Sequence, residues 1–396
     1  MLASFIACRL GKQTLNRTPK NGKKGDLAPG LHGAALPHED DAAGKEDYGV
    51  PSLESLGYEV PSSPPLFPGG ESAGLERMAS WGKRTKWIAD FAKPNTAPTS
   101  LEPSTTVMSP YLKFGCVSVR DMMQVLKAAY AEHPKHGAPP TSLEGQLLWR
   151  EFYYFEAFKA KNYDVMVGSS VSKQIPWDHD PDLVAAWEQG RTGYPWIDAC
   201  MRQLVETGWL HHLARHAVAC FLTRGDLYQS WEVGAAIFDK YLIDSDWALN
   251  NGNWLWLSAS AYFHQYFRVY SPVAFPKKTD PNGDFIRKWL PAFRTFPKKY
   301  IFEPWKAPRA VQEQHGVVVG ENYPERIVVH EEVSKRNMAR HGAAYKANKG
   351  QGELPTAISG IGATQVGSAP PRGSKRQRQG GAPTEEERAK RSKGTE

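Results

Sequence analysis

The sequence of 396 residues is poor in cysteine, with four thiols that form no Cys-x-x-Cys pair and no metal-ligand spacing. This usage argues against a disulfide framework or a zinc site and is typical of reduced thiols in an intracellular protein. The chain also lacks any run of about eighteen apolar residues, so it predicts no membrane-spanning helix and no membrane partner. A Gly-x-Gly-x-x-Gly fingerprint and an alternation of strand and helix patterns are missing as well, which argues against a Rossmann fold.

Aromatic and basic residues, by contrast, are plentiful. Thirteen tryptophans and a hydrophobic fraction of 41% are enough for one large core or two ordinary ones. The net charge of +7 favours a polyanionic partner, although part of this charge lies near the C-terminus. Charge alone therefore does not establish DNA binding.

The composition divides the chain into three parts. Residues 1–65 start basic and then become rich in Gly, Pro and Asp, so we predict a disordered leader, with an organelle transit segment as the alternative. Residues 66–332 have helical periodicity, which predicts an all-α domain in which Pro195 starts one helix and Ser230 caps another. Residues 333–396 are predicted to form a disordered basic tail.

The predicted tail carries two basic clusters, Lys375–Arg378 and Lys390–Lys393. Their separation is typical of a bipartite nuclear import signal, and the alternative is nonspecific contact with phosphates. We therefore predict a nuclear protein, with the cytoplasm as a second location and organelle import as the least favoured one.

The segment Trp209–His216 is predicted to form successive turns of one helix. His212 and His216 then project from one face, with Arg215 on a neighbouring row. Their spacing suits a zinc ion, but Leu213 replaces the usual Glu and no third ligand is evident, so we predict no metal.

Two further segments offer polar groups to a ligand. Asp244–Trp256 alternates acids, amides and indoles, which suit an ion pair with Arg215, hydrogen bonds to a heterocycle and stacking on its rings. Thr105–Pro110 is a turn dense in hydroxyl and backbone N–H groups, and such turns before a helix usually hold phosphate oxygens.

Together these residues resemble the FAD-binding domain of the DNA photolyase and cryptochrome family, above all its (6-4) photolyase and animal-type cryptochrome branch. The resemblance extends from about Gly69 to His330 and includes the segments Thr105–Pro110, Gly145–Phe152, Gly193–Asp198, His211–His216 and Asp280–Asp284. It implies an all-α FAD-binding fold, FAD as the cofactor and UV-damaged DNA as a partner.

The resemblance also implies which residues hold FAD. The Thr105 turn would cradle the pyrophosphate, and Asp244 would pair with Arg215 beside the isoalloxazine. Asn250 would face N5, where an amide can hydrogen bond but does not readily supply a proton. The full predicted set is Thr105, Thr106, Val107, Met108, Ser109, Gln146, Arg150, Arg215, Asp244, Ser245, Asp246 and Asn250.

By the same resemblance, Trp254, Trp231 and Trp177 match a chain of indoles that carries electrons between the flavin and the surface. Tyr228 matches a fourth aromatic present in some members, so a tyrosyl radical is expected at the outer end. Each of these rings alone would be read as core packing. The match of all four rings to one register of the family implies the electron-transfer role.

His212 and His216 match the histidine pair of the (6-4) repair branch, which implies a catalytic role. A protonated imidazole would deliver a proton to the lesion as an electron arrives. The residues that match the lining of the lesion pocket are Gln146, Trp149, Trp256 and Tyr270.

The expected function is therefore blue-light-dependent repair of (6-4) photoproducts by electron transfer from reduced FAD. The alternative is a cryptochrome photoreceptor in which flavin photoreduction changes the ordering of the region after about His330 and its affinity for transcriptional or clock proteins. A third alternative is an inactive chain that folds poorly.

The N-terminal α/β domain of the family has no counterpart pattern in this sequence. That domain usually docks the antenna pigment, so we expect no second chromophore and an exposed apolar patch. A monomer is expected, and the sequence leaves open that the chain is part of a longer protein.

Overall fold

The computed structural model describes residue 52, residues 54–58 and residues 65–348. Within these residues every regular element is helical, which confirms the predicted all-α class. The α-helices are α1 Glu71–Gly82, α2 Thr85–Asp90, α3 Ser109–Lys113, α4 Val119–Glu132, α5 Leu143–Lys159, α6 Pro181–Glu188, α7 Pro195–Thr207, α8 His212–Cys220, α9 Trp231–Tyr241, α10 Trp247–Leu257, α11 Ala274–Lys277, α12 Asp284–Trp289, α13 Arg309–Gln314 and α14 His330–Ala347. None of the helices in this part of the chain is long and apolar enough to cross a membrane.

Shorter helical turns complete the architecture. A π-helix, Phe221–Gly225, follows α8 directly. The turns of 3-10 helix are Glu54–Leu56, Lys93–Asn95, Pro291–Phe293 and Pro304–Lys306.

Side-chain caps set the starts of the helices that surround the site. The Ser230 hydroxyl accepts a hydrogen bond from the Glu232 N–H at the start of α9, and Pro195 is the first residue of α7, as the sequence predicted. Asp246 accepts from two backbone N–H groups at the start of α10. Such caps satisfy donors that a helix leaves unpaired in its first turn.

The helix with the histidine pair is shorter than predicted, because it begins at His212 rather than at Trp209. His211 has an extended ψ of 140°, and its imidazole accepts a hydrogen bond from the Leu213 N–H as a cap. His212 and His216 still share one face of α8, with ring centroids 6.2 Å apart.

Two apolar clusters support the fold. The larger one joins α7, α8, α9 and α10 and includes the fully buried indoles of Trp187, Trp196, Trp231 and Trp254. The smaller one joins α1, α2 and α4 to the start of α5. Helices α5, α8 and α10 therefore present residues to the candidate site from firmly packed elements.

The last helix corrects the predicted domain boundary at residue 332. Helix α14 crosses that boundary, and its Asn337 side chain is buried and donates to the backbone oxygens of Gly225 (3.2 Å) and Asp226 (2.9 Å). The polar composition of α14 led to the prediction of a tail. The hydrogen bonds of Asn337 to the end of the π-helix nevertheless fix α14 against the folded domain. Both basic clusters, most of the predicted leader and residues 349–396 lie outside the described residues.

Helices α9 and α10 are tightly packed at Gly234. A Cβ atom added to Gly234 would lie 2.1 Å from the indole ring of Trp254. Glycine is therefore required at this position, because any side chain would displace the indole or separate the helices.

We expect Gly234→Ala to lower the free energy of unfolding by about 1–3 kcal/mol, the usual cost of overpacking a core. Urea denaturation measures this change. Gly69→Ala is the control, since a Cβ there meets nothing within 4 Å, and its effect should stay within about 0.5 kcal/mol. Equal stability of the two variants would contradict the packing at Gly234.

Candidate cofactor and lesion site

A bidentate ion pair between Arg215 of α8 and Asp244 lies at the centre of the candidate site. The Arg215 guanidinium donates to both carboxylate oxygens, at 3.1 and 2.9 Å, and its Nε donates to the Leu210 carbonyl at 2.9 Å. The Ser109 hydroxyl donates to the same carboxylate at 2.5 Å. The predicted Arg215–Asp244 pair is confirmed, and it also fixes the end of the Thr105 turn.

The Thr105 turn is held in a strained conformation. Val107 has a φ of 50°, which is uncommon for a β-branched residue. Its side chain and that of Met108 are buried, and Arg77 donates to the Thr106 carbonyl at 2.9 Å. Strain of this kind persists where packing over-determines the backbone, often at ligand clamps. The role of the turn toward phosphate remains a prediction.

Arg150 and Asp246 are linked through Tyr154, a residue that the sequence analysis missed. The Arg150 guanidinium lies 4.6 Å from the centre of the Tyr154 ring, and the Tyr154 hydroxyl donates to Asp246. Burial and the hydrogen bond to Asp246 raise the pKa of Tyr154 to about 12. The only sequence signal for Tyr154 is its spacing of four from Arg150 on α5.

Two side-chain amides are oriented by backbone carbonyls. Asn250 donates to the Ala235 carbonyl at 2.9 Å, and Gln146 donates to the carbonyls of Pro140 (3.0 Å) and Ser142 (3.3 Å). Each amide therefore keeps its oxygen available as an acceptor for a ligand. Ser245 differs, because its hydroxyl donates to Asp239 of α9 instead.

The predicted catalytic histidines are half-buried on α8, and we call the region that they share with Lys93, Thr96 and Tyr270 the recess. The Nε2 atom of His212 lies 3.2 Å from the Lys93 carbonyl oxygen and 3.4 Å from the Thr96 hydroxyl. The Nδ1 atom of His216 lies 3.3 Å from the Tyr270 hydroxyl. The fold thus brings His212 and His216 together with Tyr270, one of the predicted pocket residues.

The other predicted pocket residues form a second group nearby. The rings of Trp149 and Trp256 meet edge to face at 5.1 Å, and Gln146 lies one turn before Trp149 on α5. Helix α10 packs against both α8 and α5, and the Lys93 N–H donates to the Thr141 carbonyl at 2.9 Å in the loop before α5. Like the histidines, these side chains are half-buried, as expected for the lining of a recess.

The electrostatics of the recess depend on Lys93, which the sequence analysis also missed. Burial, and next the positive charge of Lys93, lower the pKa of His212 and of His216 well below the usual range. Burial lowers the pKa of Lys93 itself to about 8. Both histidines are therefore neutral at pH 7 in the protein without ligands, and the protonated imidazole expected beside a bound lesion remains a prediction. Lys93 lies 119 residues before His212, in a short 3-10 turn without a periodic pattern.

The predicted electron-transfer residues fall into an inner and an outer group. Trp254 and Trp231 are fully buried in the larger core, whereas Trp177 and Tyr228 form a ring pair at 4.9 Å. The Trp254 ring contacts Phe238 (5.0 Å) and Trp187 (6.3 Å), and within the described residues Trp231 stacks on none of the other three. Trp187 was not part of the predicted route.

The arrangement fits a large cofactor that is anionic at one end and heterocyclic at the other. The Thr105 turn offers hydroxyl groups, the Arg215–Asp244 pair offers fixed charges, and Asn250 offers an oriented amide. Close helix packing at Gly234 keeps an indole next to this set. These features define a helical flavin-binding domain.

Residues 142–343 match the family described as "FAD binding domain of DNA photolyase". The chain belongs to this family of DNA photolyases and cryptochromes, and FAD is the cofactor of its domain.

Curated relatives agree with this assignment. The chain is 53% identical over 303 residues to a (6-4) DNA photolyase of Arabidopsis thaliana, covering 76% of this chain and 54% of the relative. It is 50% identical over 302 residues to Cryptochrome-1 of Gallus gallus, covering 76% and 49%. The chain thus spans about half the length of these curated relatives.

A solved structure supports the same fold. The cryptochrome of Synechocystis sp. is 30% identical and superposes with a TM-score of 0.64, covering 73% of this chain and 60% of that one. The helical domain described above is therefore the photolyase and cryptochrome FAD-binding fold.

We expect Lys93→Gln to raise the pKa of His212 and His216, because a positive charge that disfavours the imidazolium is removed. Histidine NMR over a pH series measures both values. Lys86→Gln is the control, since Lys86 is exposed and paired with Asp90. Unchanged histidine titration in Lys93→Gln would contradict the electrostatic role of Lys93.

Proposed function

We propose that this chain performs light-dependent repair of (6-4) photoproducts in UV-damaged DNA. The observation that carries the proposal is the set of His212, His216 and Tyr270 on and around α8, together with the half-buried indole pair of Trp149 and Trp256 on α5 and on α10, the helix that packs against α8. Proton donors and stacking surfaces on neighbouring helices suit a damaged base that has been flipped out of the duplex.

The net charge of +7 supports binding to a DNA backbone. A flipped lesion would stack on Trp149 and Trp256, and its polar edges would meet the free amide oxygen of Gln146. FAD supplies the electron for the reaction when it is bound and illuminated. The protein holds the reacting base in a fixed orientation and moves the proton.

The neutral state of the histidines suggests how proton transfer is timed. A phosphate of the lesion brings negative charge near Lys93 and offsets the charge that depresses the histidine pKa values. His212 or His216 then gains a proton only when substrate is bound. Its proton can pass to the lesion while the electron arrives, as general acid catalysis requires.

A second candidate function is a blue-light receptor that signals to transcriptional or clock partners, and the contact between α14 and the outer electron-transfer residues favours it. His341 of α14 lies 5.6 Å from Trp177, and Arg340 lies 3.9 Å from the centre of the Tyr228 ring. Oxidation of Trp177 or Tyr228 would therefore act directly on α14. Nuclear location remains part of the proposal under both functions.

We expect Trp254→Phe to retain FAD but to lose most of the flavin photoreduction, because the ring nearest the predicted flavin position becomes harder to oxidise. Loss of flavin absorbance under blue light measures the rate. Trp187→Phe is the matched control, since Trp187 contacts Trp254 outside the predicted route. Loss of photoreduction in the control with retention in Trp254→Phe would show that the assigned route is wrong.

We expect His212→Ala or His216→Ala to lower (6-4) repair by about 10²-fold, the effect typical of a lost general acid. Photoreduction should survive, and DNA binding should weaken far less. His315→Ala, which changes a half-buried histidine against Phe296, is the control. Wild-type protein that photoreduces but restores no (6-4) lesion under saturating light would refute repair and favour the receptor.

A further inference from the structure

His341 is buried within a box of aromatic rings at the outer end of the electron-transfer residues. Its ring centroid lies 5.6 Å from Trp177, 6.3 Å from Tyr228, 5.3 Å from Tyr266 and 5.2 Å from Tyr345. His341 and Tyr228 are both 0% exposed. We call this set the His341 box.

The His341 box contains donors and an acceptor that are buried without partners in the protein. The Trp177 Nε1 and the Tyr228 hydroxyl make no hydrogen bond in the protein, and His341 has only a contact with the Ala259 backbone, which leaves one of its ring nitrogens without a partner. A buried polar group without a partner loses its hydrogen bonds to water and destabilises the folded state. The neighbouring Tyr345 hydroxyl, in contrast, donates to the carbonyls of Ala259 and Phe263. Within the box, the groups without partners therefore lie around Tyr228.

The groups that face Tyr228 determine what happens when it is oxidised. Burial raises the pKa of the Tyr228 phenol to about 12, so the phenol is protonated at rest. Arg340 lies over its ring, and this positive charge disfavours a tyrosine cation. A phenol radical cation is a strong acid, so oxidation of Tyr228 must release a proton to a nearby base.

Two bases stand close to Tyr228. Asp178 is held by Arg340 through both carboxylate oxygens, at 2.6 and 2.7 Å, and this pairing lowers its pKa. His341 has no ion pair, and burial followed by the charge of Arg224 lowers its pKa to about 3, while its contact with the Ala259 backbone opposes this shift. His341 is therefore a neutral imidazole at rest, with an unpaired nitrogen available for a proton.

We propose that His341 accepts the proton that Tyr228 releases on oxidation, an inference that rests on the proposed electron transfer to photoexcited flavin. One electron passes from Tyr228 to the Trp177 radical cation, which earlier lost its own electron along the indole chain. The Tyr228 O–H bond breaks and an N–H bond forms on His341. The products are a neutral tyrosyl radical, neutral Trp177 and an imidazolium on α14. The proton returns to Tyr228 when the electron does.

The test uses the full chain loaded with FAD, and it compares wild type with His341→Gln. Glutamine retains a polar side chain but does not accept a proton. Transient absorption and electron paramagnetic resonance should show that the first flavin reduction is unchanged, while the yield of tyrosyl radical falls by about 10-fold or more. An unchanged tyrosyl yield in His341→Gln would overturn the inference.

Two matched variants identify the base. Tyr266→Phe removes a hydroxyl from the same box and should leave the tyrosyl radical intact. Asp178→Asn should also leave it intact, and loss of the radical in this variant together with retention in His341→Gln would assign the proton to Asp178 instead. Absence of any flavin reduction in illuminated wild type would refute the proposed electron transfer as well.

A measurement on wild-type protein removes dependence on the folding of His341→Gln. Protein labelled with ¹⁵N-histidine and assigned by sequential NMR should show an imidazolium signal from His341 only under illumination. Tyrosyl radical without this signal would overturn the inference.

Discussion

The candidate site depends on the ion pair between Arg215 and Asp244, because it joins three segments that are distant in the sequence. Arg215 belongs to α8, Asp244 precedes α10, and the Ser109 hydroxyl brings the Thr105 turn onto the same carboxylate. Asp244 has only 3% of its side chain exposed. Removing one member of such a pair leaves the other charge poorly compensated. This change destabilises the folded protein far more than the intact pair stabilises it.

Lys93 gives the recess a second electrostatic constraint. Its charge and the burial of the imidazoles keep His212 and His216 neutral, so the protein without substrate does not hold the acid that repair needs. A negatively charged substrate changes this balance. Under the proposed repair function, electron transfer would use rings packed in the core, whereas proton transfer would wait for a ligand in the recess.

Helix α14 connects the repair and receptor proposals. Through Asn337, Arg340 and His341 it contacts the π-helix and the Trp177–Tyr228 pair. A repair enzyme needs these rings only to supply electrons. A receptor needs their oxidation to change another part of the protein. His341 of α14, which lies beside Tyr228, provides a physical connection for such a change. The same folded domain therefore contains the parts for both functions.

The sequence by itself determined the helical class, the Arg215–Asp244 pair and the shared face of His212 and His216. These follow from local spacing or from the register of a familiar domain, so they need no knowledge of distant contacts. The tertiary structure alone decided that His211 is a cap, that Lys93 lies against His212, and that α14 belongs to the folded domain. Each of these results from burial and pairing between segments far apart in the chain. Neither periodicity nor composition indicates that the charge of Lys93 lies close enough to His212 to lower the pKa of its imidazole.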